Sequence, residues 1–464
     1  MFRILKYSVM FSLAFLSSAF SINVNFSYPT STSLSSPDLG LRGEFTQIAT
    51  DSSGRYVYII WDDPTGAEKI QVAVSSDFGV TWSDQILIGS GIKAQITTDN
   101  SGKYVYAVWK NSSSDIQVGI SSDFGINWAP PTSTPDGTPA LGTGENAQIT
   151  TDNSGKYVYA IWNVLAGAVQ AAFSSDFGLN WVSPTSTPTG TTPNLASLGE
   201  FSQITTDNTG KYVYAIWDDP TGAGTIQVAV SSDFGMNWIS PSSTPAGTPA
   251  LGAGELSQIT TNSSGQFVYA VWNVTAAGAV QVAVSSDFGM NWSNPTSTPT
   301  GAIPDLASSG LNAQITTDNS GRFIYALWSV PPGNVLAAIS MDFGMNWVSP
   351  SSTSLATPII GVGVVPQITT DISGRYIYAA WNNLATGRTQ IVLSLDFGLN
   401  WSEPTSTPIG SPNLGLGINA QIATNSTGRY IYIVWNKEGV PTIVQTSFGF
   451  KTYYPLKSLS INRN

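Results

Sequence analysis

The chain has no cysteine and no histidine among its 464 residues. The first absence excludes disulfides, thiolate metal ligands and a cysteine nucleophile; the second excludes imidazole metal sites and any Ser-His-Asp relay. Charge is scarce: Asp, Glu, Lys and Arg make up 10% of residues, where about 25% is usual. What charge exists leans negative, 29 acids against 18 bases for a formal −11, which argues against a nucleic-acid partner. Long apolar runs are missing except at the start, where Arg3 and Lys6 precede an apolar stretch from Tyr7 to Phe20 flanked by small residues. That stretch is shorter than the ~20 residues needed to span a bilayer. It reads as a cleaved export signal over residues 1–21, cut after Ala19 or Ser21. The expected mature protein is therefore exported (secreted, periplasmic or at the cell surface), without a transmembrane helix and monomeric.

What is abundant is glycine (44), proline (27) and tryptophan (15). The tryptophans organise the chain. Eight segments begin Gln-Ile, at Gln47, Gln95, Gln148, Gln203, Gln258, Gln314, Gln367 and Gln421, and each ends in a tryptophan, from Trp61 to Trp435. About 15 residues later comes S-x-D-F-G-x-x-W, whose aspartates are Asp77, Asp123, Asp176, Asp233, Asp287, Asp342 and Asp396. Eight tryptophans in the first element and seven in the second account for all fifteen.

Each unit of about 54 residues reads as four short strands. Strand A is A-Q-I-T-T, a D-N-S-G turn follows, and strand B is Y-V-Y-A-V-W. Strand C resembles I-Q-V-A-V-S, and the D-F-G turn leads into strand D. Pro/Thr/Ser-rich stretches such as Pro131–Pro135 read as connections between units. Four antiparallel strands repeated at this period predict an all-β fold, an eight-bladed β-propeller of four-stranded blades, with seven blades as the alternative. The ring occupies residues 45–455 and residues 456–464 form a tail. The eighth unit has Ser447 and Thr452 where Asp and Trp are expected, yet Phe448, Gly449 and Pro455 still align, so a strand D is expected there. Asn25–Thr32 competes for the same place because it resembles Asn400–Thr407. The segment 22–44 is therefore expected to close the last blade, with closure by Phe450–Pro455 as the alternative.

The seven S-x-D-F-G-x-x-W elements resemble the Asp-box (BNR) repeat, and the chain is similar to the β-propellers of the sialidase-like superfamily over residues 45–447. The resemblance implies that each box is the turn between the third and fourth strands, on the face opposite a sialidase active site. It leaves function open, because the family includes enzymes and non-enzymatic receptors. A sialidase needs an arginine triad and a tyrosine nucleophile. Arg55, Arg322, Arg375 and Arg429 fall in the A–B turns and Arg463 in the tail, leaving Arg42 and Arg388, and the Phe/Tyr-Arg-Ile-Pro motif is absent.

Of the 29 acids, seven belong to the boxes and six to the A–B turns. Four of the rest, Glu44, Glu145, Glu200 and Glu255, lie three residues before a strand-A glutamine. Two pairs, Asp62/Asp63 and Asp218/Asp219, lie in B–C loops. These groups predict a partly acidic face opposite the boxes, diluted by Arg42 and Lys93. The expectation is a binding scaffold for a glycan or protein, with no catalytic residues and no resident cofactor except possible calcium held by carboxylates. The alternative is a glycoside hydrolase of the exo-α-sialidase type.

Overall fold

In each unit strand B is buried from its first valine or isoleucine to its tryptophan: Val158, Tyr159, Ala160, Ile161 and Trp162 in the third unit are all under 2% exposed. A strand dry on both faces must lie in a sheet stacked between two others. The computed structural model describes residues 20–455 apart from 67, 166, 222, 223, 276, 277, 356 and 440. It shows eight antiparallel sheets arranged as the blades of one ring. Blade 3 is typical, with strand A at Glu145–Thr151, B at Val158–Asn163 and C at Val169–Ser174. The eighth unit forms a complete sheet, so the ring has eight blades rather than seven. The export-signal reading falls on residues 1–19, outside the described residues, and on Phe20 and Ser21, which begin the first strand.

Eight apolar cores lie between blades, not within them. In one, Trp328 and Trp347 of blade 6 pack with Val271, Val282 and Val284 of blade 5. Each buried ring removes about 150–250 Å² from water, worth several kcal/mol at ~25 cal/mol per Å². Polar ties repeat with the same regularity. The strand-B tyrosine donates its hydroxyl to the turn-glycine carbonyl of the next blade, as Tyr106 does to Gly155 at 2.6 Å, and Tyr432 returns to Gly54 across the closure. A backbone circle runs beside them: Ser52 to Asn100, on through six more turns to Ser426, and back to Ser52.

The fourth strand differs from its sequence reading. In blade 3 it comes in two pieces, Trp181–Val182 and Asn194–Ala196, both paired with strand C. The Pro/Thr/Ser stretch between them is an excursion from the sheet, not a connection between blades. Proline cannot donate to a ladder, so the strand leaves the sheet at Pro184 and re-enters after Pro193. The excursion reaches sideways and clasps the next D-F-G turn. Thr185 N–H donates to Met236 C=O at 2.7 Å, Trp238 N–H to Ser186 C=O at 3.0 Å, and Ser186 Oγ to Asn237 Oδ1 at 2.7 Å.

In the last blade, strand C is a 13-residue strand, Ile443–Pro455, and its outer partners are Phe20–Ser27 and Asp38–Leu41 from the N-terminus. No separate strand D forms at Phe450–Pro455; that segment continues strand C. Ser447 explains it. Without a carboxylate to collect turn N–H groups the chain runs straight, and the Ser447 hydroxyl donates to Ser27 C=O at 2.8 Å.

Candidate functional site at the channel mouth

The D-F-G turns and A–B turns share one face, because each box phenylalanine stacks on an A–B turn aromatic of the preceding blade, as Phe177 does on Tyr104 at 4.5 Å. In each box the aspartate collects its own turn. Asp176 accepts from Ser174 Oγ at 2.9 Å, Asn180 N–H at 2.9 Å and Asn180 Nδ2 at 2.7 Å. Partial burial pushes that carboxyl up, but these hydrogen bonds outweigh it and hold it below the usual range. Such an aspartate is saturated. The strand-B tyrosines are equally committed: burial and neighbouring aspartates push the Tyr106 and Tyr159 hydroxyls far above the usual tyrosine range.

The opposite face is built from the first residues of strand A and the ends of strand B. Strand A opens with a bulge in every blade. In blade 3, Glu145 pairs with Asn163 and Gln148 with Ile161, so Asn146 and Ala147 together oppose Trp162. The first bulge residue is held left-handed in every blade: Phe45, Lys93, Asn146, Phe201, Leu256, Asn312, Val365 and Asn419 have φ between 47° and 55°. Asparagine tolerates this conformation. For Phe, Leu and a β-branched Val it costs about 1–2 kcal/mol. The strain is kept in every blade while the side chain takes five forms, which makes this position a candidate for recognition.

Two residues on stands the repeated glutamine. Gln47, Gln95, Gln148 and Gln203 line a cavity of about 250 Å³ together with Phe45, Lys93, Asn146 and Phe201. None of the eight repeat glutamine side chains hydrogen-bonds to protein among the described residues, although Lys93 Nζ donates to Asn146 Oδ1 at 2.9 Å. The carboxamides therefore keep their donors and acceptors for something else. Phe45 and Phe201 are 48% and 44% exposed, large for rings on a strand.

The acids expected on this face are sorted by the structure into two kinds. Asp62 is buried and accepts from the N–H groups of Lys93 and Ala94 of the next blade. Asp218 does the same with Leu256 N–H at 2.5 Å and Ser257 Oγ at 2.7 Å. Burial pushes Asp62 up to about 7 against those hydrogen bonds, with Glu44 and Glu68 adding to the rise. Burial likewise takes Asp218 up to about 6, with Glu255 adding to it. Asparagines take the same place in other blades; Asn436 donates to Gly43 C=O at 2.9 Å. Asp63 and Asp219 cap their own loops, accepting from Thr65 Oγ1 at 2.6 Å and Thr221 Oγ1 at 2.7 Å.

The glutamates are displayed. Glu145 pairs with Lys110 at 3.7 Å, while Glu44, Glu200 and Glu255 have no cation partner among the described residues. Glu200, Asp218, Asp219 and Glu255 do come together, around a cavity of about 260 Å³ that also includes Phe201 and Thr275. Phe201 thus joins this acidic cavity to the glutamine-lined one. Among the described residues no three carboxylates gather as a metal ion requires. Blades 6, 7 and 8 carry Leu311, Val364 and Ile418 where the acidic blades carry glutamate, and blade 2 carries Ile92, so the rim has an apolar arc and an acidic arc interrupted once.

Arg42 is exposed at this rim beside Thr442, whose carbonyl accepts its N–H, and Arg388 begins strand C of blade 7. Arg55, Arg322 and Arg375 lie on the other face, donating Nε to Ser76, Met341 and Leu395 carbonyls at 3.1, 3.1 and 3.2 Å. Sequence reasoning missed the bulge residues and the glutamine ring. The signal was present: a polar residue kept in all eight units with no turn or cap to explain it.

No protein-family model and no curated protein matches the chain. Among solved structures it is similar to a lectin from Burkholderia pseudomallei, at 14% identity and TM-score 0.50 over 79% of this chain and 99% of that one. It is also similar to a xyloglucanase from Xanthomonas campestris, at 14% identity and TM-score 0.41, with 87% of this chain covered; the match spans 64% of that enzyme's length. A third is the NanB sialidase from Streptococcus pneumoniae, at 13% identity and TM-score 0.37, covering 88% and 68%. Identities this low speak to fold alone, and the fold is that of an eight-bladed β-propeller.

Proposed function

We propose that the protein is an exported, non-catalytic propeller of the Asp-box kind, a secreted or surface scaffold that binds a glycan or a glycan-bearing protein at the channel mouth. The observation that carries the reading is the pairing of two exposed, strained phenylalanines with a ring of unpartnered carboxamides across adjoining cavities. Aromatic rings pack against the apolar faces of sugars, and amide and carboxylate groups satisfy their hydroxyls. The test is glycan-array binding by the mature protein and by the double variant Phe45→Asn/Phe201→Asn. Asparagine already occupies the bulge in blades 3, 6 and 8, so the variant keeps the fold and removes only the rings. Binding retained at wild-type strength would sink the proposal.

A sialidase-like glycoside hydrolase is the second reading, favoured by the four carboxyl groups around one cavity and the raised Asp218. Four arginines in A–B turns weigh against it, as does the commitment of Asp218 to Leu256 and Ser257. Turnover of a fluorogenic sialoside that disappears in Arg42→Ala would reverse the ranking.

A further inference from the structure

Seven clasps hold the outer ring, each a parallel bridge from a Pro-(Thr/Ser)-Ser-Thr excursion to the next blade: Ser31 to Thr81, Ser133 to Asn180 and so on to Ser406 at Asn25. Blade 2 receives none. Blade 1 passes from Trp82 through Ser83-Asp84-Gln85 straight into its outer strand, Ile86–Ser90, without the Pro/Thr/Ser excursion. The consequences are local. Among the described residues nothing hydrogen-bonds the Ile126 carbonyl, the Trp128 N–H or Asn127 Oδ1; the two backbone counterparts are satisfied in the clasped boxes of blades 3 to 7, and the amide oxygen in those of blades 3 to 6. Asn127 is nevertheless set as its counterparts are, with Nδ2 donating to Asp123 at 2.6 Å against 2.7 Å for Asn180 and Asp176. Ile126 is 63% exposed. Trp128 is only half-buried where Trp181 and Trp238 are fully buried, and grooves of about 410 and 240 Å³ flank it.

We propose that the bare turn of blade 2 docks an extended Pro-Thr-Ser-Thr segment of a partner polypeptide. The occupant's chemistry is given by the filled boxes: a backbone N–H for the Ile126 carbonyl, a backbone carbonyl for the Trp128 N–H, a serine hydroxyl for Asn127 Oδ1 and a buried proline such as Pro131 or Pro184 alongside. Backbone pairing supplies affinity and the serine supplies selectivity. A second copy of the chain is a poor donor, because seven such segments are already seated in its own ring. The site lies on the face opposite the channel mouth and does not depend on what binds there.

The absence of cysteine makes the test clean. Single-cysteine variants Ile126→Cys at the bare turn and Leu179→Cys at a clasped one carry an environment-sensitive dye and are titrated with the peptide Asn-Pro-Thr-Ser-Thr-Pro-Thr-Gly. The expected result is a saturable response at position 126 alone, weakened about 3- to 10-fold when the peptide's serine is replaced by alanine, as loss of one neutral hydrogen bond requires. No saturation into the millimolar range, equal responses at both positions, or equal affinity for the alanine peptide would overturn it. So would a concentration-dependent dimer that blocks the dye response, which would make a second copy the occupant.

Discussion

The two faces of the ring follow opposite rules. On the face of the D-F-G turns the blades are nearly interchangeable: seven aspartates collect the same N–H groups, and seven aromatic pairs lie with ring centres 4.4–4.5 Å apart, six stacked and one tilted. On the other face the bulge residue is Phe, Lys, Asn, Leu or Val, and the residue before it is an acid in four blades and aliphatic in the others. Repetition serves closure, since every interface must bear the same load. Variation serves recognition, since a ligand distinguishes only what differs. Substitutions on the first face should therefore move stability, and substitutions on the second should move binding.

The largest effect is expected where the repeated face breaks its own rule. At the seam between blades 7 and 8 no phenylalanine stacks on Tyr376; Lys451, 1% exposed, places its ammonium over that ring instead. Asp371, Arg375, Arg429 and Tyr453 are the other ionisable groups around it. Burial lowers Lys451 to about 7, with Arg375 and Arg429 adding and Asp371 opposing. Between about 7 and 10.5 the unfolded chain holds a proton that the folded one has released. Stability should therefore rise with pH across that window, by roughly 3 kcal/mol between pH 7 and 9.5. Denaturant unfolding from pH 6 to 9.5 measures it, and Lys451→Met should flatten the curve. A flat wild-type profile would show that the lysine is not held dry.

Next in size is a single box. Asp176→Ala leaves the Asn180 N–H and the Ser174 hydroxyl without their acceptor. The expected loss is about 2 kcal/mol in urea unfolding, with ligand binding by the survivors unchanged. Asp62→Asn should act in the other direction. Its folded carboxyl lies near 7 against 3.8 unfolded, so the wild-type protein loses stability as pH rises from about 4 to 7. The amide removes that slope and should add about 1–2 kcal/mol above pH 7. Asn163, Asn273, Asn382 and Asn436 show that the site accepts it.

Much of this was legible in the residues. The all-β ring and its eight blades follow from the period of the two tryptophan elements, because a regular repeat of strand-forming segments has few ways to bury its faces. The split outer strand was not legible. A fixed Pro/Thr/Ser stretch looks alike whether it links two blades or leaves and re-enters one, and only the pairing of Asn194–Ala196 with strand C separates the two. Ser447 was legible as a departure but misread in consequence, since losing the turn's carboxylate removed the turn itself. The site was half legible. Unexplained acids could be counted, but burial separates Asp62 and Asp218 from Glu44 and Glu200, and burial depends on the neighbouring blade. The left-handed bulge was hidden because glycine, its usual marker, is used in none of the eight.

The smallest expected effect on stability is the one that isolates the rim. Glu44, Glu200 and Glu255 contribute no ion pair among the described residues, and Glu145 makes one at 3.7 Å with both side chains partly in solvent. Replacing all four by glutamine should change unfolding free energy by less than about 1 kcal/mol in total, because exposed charges contribute little to folding. The substitutions keep length and hydrogen-bonding capacity and remove only charge. If the ligand is cationic or approaches through its hydroxyls toward anionic acceptors, the quadruple variant loses array binding while its urea midpoint stays put. If binding persists, the acidic arc is only a solvated rim, and recognition belongs to Phe45, Phe201 and the glutamines between them. Measured beside Phe45→Asn/Phe201→Asn, the two variants divide the mouth into its charged and aromatic halves, which the repeated face, with one solution used seven times, never allows.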